Sequence, residues 1–265
     1  MANNVKLCWL GQSGFQISGG GIEILVDPYL SDSCAKIKSK LDHTRGTPIV
    51  RAPETLKVDC YLITHAHADH FDPETIAPVM ANNPECRFFC PGDCRGKIEK
   101  FFPEKMEKFE FVSAGKMISL APEVELHTIP AAHETLAVDS DGEYIAVSFL
   151  INFRKENKSI FLAGDTIPYP GQDAAILRAT PIGSEITLCL PANGRDDARH
   201  AIGIDGNMDI DEAISLAKIC NAKLLIPCHI KMFAGNDPAE PITQEYCENQ
   251  GVHTLLPEAG KEFYL

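Results

Sequence analysis

Residues 62–73, LITHAHADHFDP, contain three histidines and two aspartates in one short segment. His65 and His67 are two positions apart, so they cannot share a helix face, where neighbours lie three or four positions apart. They can share one face of a strand end, where side chains repeat every second residue. The preceding residues 58–64, VDCYLIT, are apolar and partly β-branched, which predicts a buried strand leading to the histidines. A polar turn would explain one histidine, whereas five donors so close together favour a metal site.

Three more donors each follow an apolar segment: His133 in TIPAAHE, Asp165 in IFLAGDT and His229 in LLIPCHI. The carboxyl ends of strands can gather along one edge of a layered α/β protein, where binding sites form. Imidazole and carboxylate together suit one or two divalent ions such as zinc, manganese or iron. No cysteine joins the set, which favours a catalytic site over a closed structural zinc site. The complete candidate set is His65, His67, Asp69, His70, His133, Asp165 and His229.

Strands and helices alternate along the chain. PETIAPVMANN, CRGKIEKFFP and DIDEAISLAKICNA read as helices, with apolar strands between them. The glycine run 19–21 predicts a hairpin turn, because no P-loop lysine and no helix follow it. Strands gathered in each half with helices between them predict an α/β fold, a four-layer α/β/β/α sandwich spanning residues 1–265 as a single domain. Residues 31–57 lack regular patterning, and so long a loop is usually functional or mobile.

Composition narrows the class of protein. A net charge of −13 argues against a nucleic-acid-binding surface and against docking on anionic membranes. No apolar run approaches the ~20 residues of a transmembrane helix, and the N-terminus does not resemble a secretory signal. The ten cysteines are scattered without CxxC pairs, which predicts free, mostly buried thiols in a reducing compartment. We therefore expect a cytoplasmic protein.

The motif HAHADH resembles the HxHxDH signature of the metallo-β-lactamase superfamily. His133, Asp165 and His229 follow in the order that this superfamily uses, so the resemblance covers nearly the whole chain. Residues 191–241, with NGRD, GNM, EA and MFAGN in order, are similar to the branch that contains L-ascorbate-6-phosphate lactonase. ILVDPYLSDS near the N-terminus also resembles that branch.

The resemblance implies a dinuclear site. His65, His67 and His133 would hold the first ion, Asp69, His70 and His229 the second, and Asp165 would bridge the two. The ions would be zinc or manganese, with iron as an alternative. A metal-bound hydroxide would attack an ester or lactone carbonyl, and Asp69 is the candidate to help move the proton. Asp27, in LVDP, either supports the histidine loop or is a simple turn aspartate before Pro28.

Residues of two later segments are candidates for substrate contacts. Asn193 and Arg195 lie in the charged loop PANGRDDARH, and arginine suits two-pronged recognition of carboxylate or phosphate. A salt-bridged surface loop is the alternative. Lys231 stands where the resembled family often has an acidic residue, and it would add positive charge to a cleft. These residues predict a small anionic substrate, and His43 and Arg45 in the long loop are candidates for a lid contact.

Several functions remain open from the sequence. The leading prediction is a lactonase or esterase acting on a sugar-acid lactone, with or without a phosphate group. A small-molecule phosphodiesterase could use the same dinuclear site, whereas a nuclease would need a basic face that this chain lacks. A metal- or ligand-binding module without catalysis is a further alternative. A redox di-iron protein fits less well, because the motif lacks a glutamate and the chain lacks a flavin domain. Relatives often assemble, so the resemblance also implies a homo-oligomer.

Overall fold

The computed structural model describes residues 4–265, and its strands and helices are numbered in chain order. The strands are β1 Lys6–Gly11, β2 Gly14–Gly19, β3 Ile22–Val26, β4 Cys60–Leu62, β5 Arg87–Cys90, β6 Phe109–Phe111, β7 Met117–Ala121, β8 Val124–Pro130, β9 Val147–Phe153, β10 Lys158–Leu162, β11 Glu185–Pro191, β12 Leu224–Cys228 and β13 Glu262–Tyr264. The α-helices are α1 Pro73–Asn82, α2 Arg95–Phe101, α3 Gln172–Ala179, α4 Asp197–His200, α5 Ile210–Ile219 and α6 Gln244–Asn249.

The strands form two mixed sheets. The first has the order β13-β1-β2-β3-β4-β5-β6, and the second has the order β12-β11-β10-β9-β8-β7. Strands β3 to β6 run parallel to one another, as do β10 to β12. Parallel neighbours end on the same side of a sheet, so the segments after β3 and β4, and those after β10, β11 and β12, emerge along common edges.

Three apolar layers hold these sheets and helices together. The central layer lies between the sheets and joins Trp9 and Phe15 of the first sheet to Phe149 and Phe153 of the second. Helices α1 and α2 cover the outer face of the first sheet, and α3, α5 and α6 cover the outer face of the second. The predicted α/β/β/α sandwich is therefore confirmed.

Local sequence explains where the main helices begin. The side chain of Asp72 caps α1, which starts with Pro73, a residue that needs no hydrogen-bond acceptor there. Asp209 and Glu212 form a capping box at the start of α5. Gly20 and Gly21 both have positive φ in the β2–β3 turn, which confirms the predicted hairpin. Sequence patterning predicted the other strands and α-helices but did not predict β6, β7, β13, α3, α4 or α6.

The ten cysteines are buried and unpaired, as predicted. Within residues 4–265, no helix has both the length and the apolar character required to cross a bilayer. The loop at residues 31–57 contains only short 3₁₀ turns, at Cys34–Lys36 and Pro53–Thr55. Its Arg45 donates from Nη1 to the carbonyl oxygens of Tyr29 and Ser31, at 2.9 Å each, and so ties the middle of the loop to the segment that follows β3.

Candidate metal centre

The seven predicted donors come together at the edge where the parallel strands end. The HAHADH loop follows β4, His133 follows β8, Asp165 follows β10, and His229 comes directly after β12. Two donor groups result, and within each the candidate ligand atoms lie within 4.8 Å of one another. Group one contains His65, His67, His133 and Asp165; group two contains Asp69, His70 and His229.

Asp165 stands between the two groups. Its Oδ2 lies 3.6 Å from Nε2 of His133 in group one and 3.2 Å from Nε2 of His229 in group two. Its Oδ1 lies 3.1 Å from Nε2 of His70. The Asp165 carboxylate therefore lies against donor atoms of both groups.

The donor chemistry fits divalent ions. Within residues 4–265, His65 Nε2 is a buried atom with no hydrogen-bond partner. His70 Nε2 and Asp165 Oδ1 are buried 3.1 Å apart but without hydrogen-bond geometry between them. Buried polar atoms are nearly always paired, and a ligand is one reason for an exception. Imidazole nitrogen and carboxylate oxygen are the ligands that zinc, manganese and iron share. The residues therefore fit metal ions, and group two would take its ion through Asp69, His70 and His229.

Asp27 supports the histidine loop, as one of the two sequence readings anticipated. It is fully buried, and its Oδ2 accepts a hydrogen bond of 2.7 Å from Nδ1 of His70. The backbone N–H of Thr64 donates to Oδ1 at 2.8 Å, and the Thr64 hydroxyl donates to Oδ2 at 2.5 Å. A carboxylate that accepts from Nδ1 directs Nε2 of the same ring toward the centre.

Gln12 is a site residue that sequence analysis missed. It lies in the turn between β1 and β2, only 1% of it is exposed, and its Nε2 donates to Oδ2 of Asp69 at 2.7 Å. The same nitrogen lies 2.9 Å from Nε2 of His229. A polar residue between two glycines inside the apolar run WLGQSGF was the available signal.

Backbone strain is concentrated around the centre. Gln12, Asp27, Glu134 and His229 all have positive φ, between 42° and 59°. This left-handed region is disfavoured for residues with a side chain, and such residues persist only where surrounding contacts hold them. Three of these four residues are either a candidate ligand or in direct contact with one.

Electrostatics separates the histidines into two kinds. Burial lowers the pKa of His65 and of His133, so their rings are neutral, the form that binds metal. Burial alone would also lower the pKa of His229, but the carboxylates of Asp165 and Asp69 raise it to about 9. The pKa of His70 is likewise raised in spite of burial, by Asp165, Asp69 and Asp27.

The two aspartates of the centre are ionised for the complementary reason. Burial would raise the pKa of Asp165, yet His229 and His70 hold it well below its usual range. The pKa of Asp69 is also lowered in spite of burial, by His70 and His229. Without a metal, protons on His70 and His229 thus balance the two carboxylates. A divalent cation would supply that balancing charge instead and release those protons, which leaves both rings in the neutral form that binds metal.

A cavity of about 210 Å³ opens onto both groups. Part of its wall is apolar and comes from Ile37, Leu41, Ile204 and Phe233. The polar part of the wall beyond the donors comes from His43, Asp205 and Asn236. The structure thus brings His43 to the cavity, where its ring packs edge-on against Phe233 with centroids 5.2 Å apart.

The predicted substrate residues lie in three different environments. Asn193 is fully buried behind the cavity wall, and its Nδ2 donates to Oδ1 of Asn236 at 3.1 Å. Arg195 turns away and forms two bonds to Glu212, from Nη1 at 2.6 Å and from Nη2 at 2.7 Å. Lys231 does not line the cavity, and its backbone N–H donates to the side chain of Asp237. Of the three, only Asn193 contacts a cavity-lining residue through its side chain.

Comparison with known proteins identifies the superfamily to which this chain belongs. Residues 23–230 match the family model described as a beta-lactamase superfamily domain, and the chain belongs to that superfamily. A UPF0173 metal-dependent hydrolase from Oenococcus oeni is 28% identical over 98% of this chain and 99% of its own length. The superfamily prediction is confirmed, while the narrower lactonase-like branch stays a prediction.

Solved structures with the same fold differ in chemistry. The isothiocyanate hydrolase from Delia radicum gut bacteria has a TM-score of 0.75 at 18% identity, covering 98% of both chains. CmlA, a diiron beta-hydroxylase from Streptomyces venezuelae, has a TM-score of 0.66 at 16% identity, covering all of this chain and 54% of its own. Likeness at this level shows the fold alone, so the chemistry has to be argued from the site.

Proposed function

We propose that this superfamily member is a metal-dependent hydrolase that adds water to the carbonyl carbon of a small lactone or ester and breaks its acyl C–O bond. The observation that carries the proposal is that two donor groups share Asp165 and open onto one cavity. A structural metal site would be closed, whereas a site that faces a cavity leaves room for water and substrate.

The bound ions would supply Lewis acidity, which activates water near neutral pH and polarises the carbonyl oxygen of the substrate. The chain's own residues hold and position the reacting groups. Asp69 has 18% of its side chain exposed, compared with 6% for Asp165. Asp69 is therefore the carboxylate that we propose to receive the proton from the attacking water and to return it to the leaving oxygen.

The cavity favours a compact substrate with an apolar portion. Among the described residues, no lysine or arginine lines it. Nearby Arg199 is already bound, to Asp196 through Nε at 2.7 Å and to the carbonyl oxygen of Asn193 through Nη1 at 2.9 Å. The predicted anionic substrate therefore lacks the side chains expected to hold it, and a carboxylate or phosphate would depend on the ions. We propose a lactone or ester whose carbon skeleton packs against Ile37 and Phe233.

A phosphodiesterase is the second candidate, because paired ions that share a carboxylate also suit in-line displacement at phosphorus. The cavity chemistry separates the two. A phosphodiester carries a fixed negative charge that no lysine or arginine of the described cavity wall would meet, whereas a lactone carbonyl is neutral.

The test combines metal analysis with a substrate panel. Protein purified without added metal would be assayed for metal content and then, after addition of manganese or zinc, on neutral lactones, phosphorylated lactones and chromogenic phosphodiesters. We expect about two ions per chain and turnover of neutral lactones. The His67→Ala variant should lose this turnover, and the His253→Ala variant, altered at an exposed residue outside the centre, should keep it. Turnover of phosphodiesters alone would support the second candidate, and an inert, metal-loaded protein would indicate a binding module.

A further inference from the structure

The backbone of Gln12 is fixed at the edge of donor group two. Its carbonyl oxygen accepts from the indole Nε1 of Trp9 and from the backbone N–H of His229, both at 2.9 Å. Gln12 adopts φ of +52°, a conformation that costs energy for a residue with a side chain. These two bonds hold the turn so that the side chain enters the centre rather than solvent.

The carboxamide reaches two ligand atoms of group two at once. Its terminal nitrogen is 2.7 Å from Oδ2 of Asp69 and 2.9 Å from Nε2 of His229, which are themselves 3.6 Å apart. No other uncharged side chain makes a hydrogen bond to a carboxylate of the two groups, within residues 4–265. A cation held by Asp69 and His229 would therefore also face the end of the Gln12 side chain.

The two ends of a carboxamide have nearly the same shape but opposite roles, since the nitrogen donates and the oxygen accepts. Facing the Asp69 carboxylate alone, the NH₂ end is favoured. Facing a cation, the same end is repelled and the oxygen is favoured. A half-turn about the last side-chain bond exchanges the two ends without moving the strained backbone.

We infer that Gln12 is a further ligand of the ion at group two, through its carboxamide oxygen. The inference rests on the proposed function to the extent that group two holds an ion. Amide oxygen suits manganese better than zinc, whose preferred ligands are imidazole and thiolate. Gln12 therefore biases group two toward a harder ion than group one, whose donors include three imidazoles.

The rival role is that of a positioning residue, in which the NH₂ group only steadies Asp69. The Gln12→Glu variant separates the two roles. A ligand role predicts that a carboxylate binds manganese at least as tightly as the amide does. A donor role predicts the opposite, because a second carboxylate beside Asp69 removes the hydrogen bond and adds repulsion.

The experiment is a competitive manganese titration of the metal-stripped chain, which resolves the affinity of each ion without an activity assay. We expect Gln12→Leu to weaken one of the two ions by about 10–100-fold, and Gln12→Glu to bind that ion as tightly as the unaltered chain or more tightly. The matched control is Gln16→Leu, in β2, whose side chain bonds to Glu23 outside the centre. If the leucine variant does not fold, Gln12→Asn decides, because asparagine tolerates positive φ and withdraws the amide by one methylene.

Two results with the Gln12 variants would each overturn the inference. One is weaker manganese binding by Gln12→Glu than by Gln12→Leu, and the other is unchanged manganese affinity in the leucine or asparagine variant. A chain that binds only one ion would also overturn it, together with the dinuclear centre. Two ions bound with the expected Gln12 effects but no hydrolysis of any substrate would leave this ligand in place and reject only the proposed function.

Discussion

The two donor groups share Asp165 but differ in how the rest of the chain supports them. In group two, Asp27 accepts from Nδ1 of His70, and Gln12 contacts both Asp69 and His229. In group one, Nδ1 of His65 lies 3.1 Å from the hydroxyl of Thr64, and His67 is exposed. Among residues 4–265, Nδ1 of His133 in group one and Nδ1 of His229 in group two are both buried without a hydrogen-bond partner. Group two therefore has a carboxylate and a carboxamide behind its ligands, whereas the support found behind group one is the neutral hydroxyl of Thr64.

This difference bears on the order in which the groups bind metal. Residues that hold a ligand's free ring nitrogen raise metal affinity and fix the ring in place. We expect group two to bind the first ion and group one, nearer to solvent, to bind and exchange the second. Substrate entering from the cavity would then meet the more exchangeable ion beside His67.

The largest expected effect comes from removing the residue that both groups share. Asp165→Ala removes the carboxylate that both groups share. His70, His133 and His229 then lose the negative charge that lies between them. Loss of a residue that only supports a ligand lowers metal affinity by about 10–100-fold. The affinity for both ions should fall by more than that in this variant, and hydrolysis should disappear. Equilibrium dialysis with elemental analysis measures this loss. The control is Asp173→Ala, on α3, and retention of one tightly bound ion by Asp165→Ala would show that Asp165 does not serve both groups.

Asp27→Asn tests the support that Asp27 gives directly to His70 of group two. Asparagine tolerates the positive φ of this position but replaces the acceptor of His70 with a weaker, neutral one. We expect one ion to weaken by about 10–100-fold while the other changes little. A two-site competition titration distinguishes the ions, and Asp59→Asn, which alters a carboxylate that accepts from the backbone of Glu23, is the control. Equal weakening of both ions would remove the distinction between the groups.

Gly164→Ala tests the backbone that joins the groups. Gly164 has φ of +62°, and an added Cβ would lie 2.7 Å from Oγ1 of Thr64, the residue that bonds to Asp27. Gly183→Ala is the matched control, because Gly183 has φ of +83° but no atom within 4 Å of the added Cβ. Both variants should lose about 1–3 kcal/mol from backbone strain, and only Gly164→Ala should also weaken metal binding. Thermal unfolding with and without manganese measures the two effects.

The contrast between the groups also marks what the sequence could predict. The donors of HAHADH are neighbours in the sequence, so the apolar segment before them was enough to predict that they share one loop at a strand end. His133, Asp165 and His229 were recognisable because each follows an apolar strand. The support of group two is not local: Asp27 meets His70 across 43 positions, and Gln12 meets His229 across 217. The first contact depends on the pairing of β3 with β4, and the second depends on how the two sheets pack. Periodicity in the sequence records neither.

Short elements and irregular loops were missed for a related reason. Strands β6 and β13 have three residues each, too few to show alternation, and they form only because a neighbouring strand offers its edge. The residues of the cavity wall were missed for the same reason, because they meet only in the folded chain. Leu41 comes from the irregular loop at residues 31–57 and Phe233 from the segment after β12, so their meeting depends on tertiary packing.

The smallest expected effect concerns Arg195, which the charged-loop pattern suggested as a substrate contact. The structure pairs its guanidinium with Glu212, at the start of α5 and outside the cavity. Because 38% of the Arg195 side chain and 27% of the Glu212 side chain are exposed, solvent screens much of this ion pair. Arg195→Ala should therefore cost about 0–1 kcal/mol in unfolding free energy and leave both metal affinities and kcat/KM nearly unchanged. Denaturant unfolding and steady-state kinetics on the same preparation check this, with Glu212→Gln expected to behave alike. A large fall in kcat/KM for Arg195→Ala, without one for Glu212→Gln, would mean that the arginine leaves Glu212 to bind substrate.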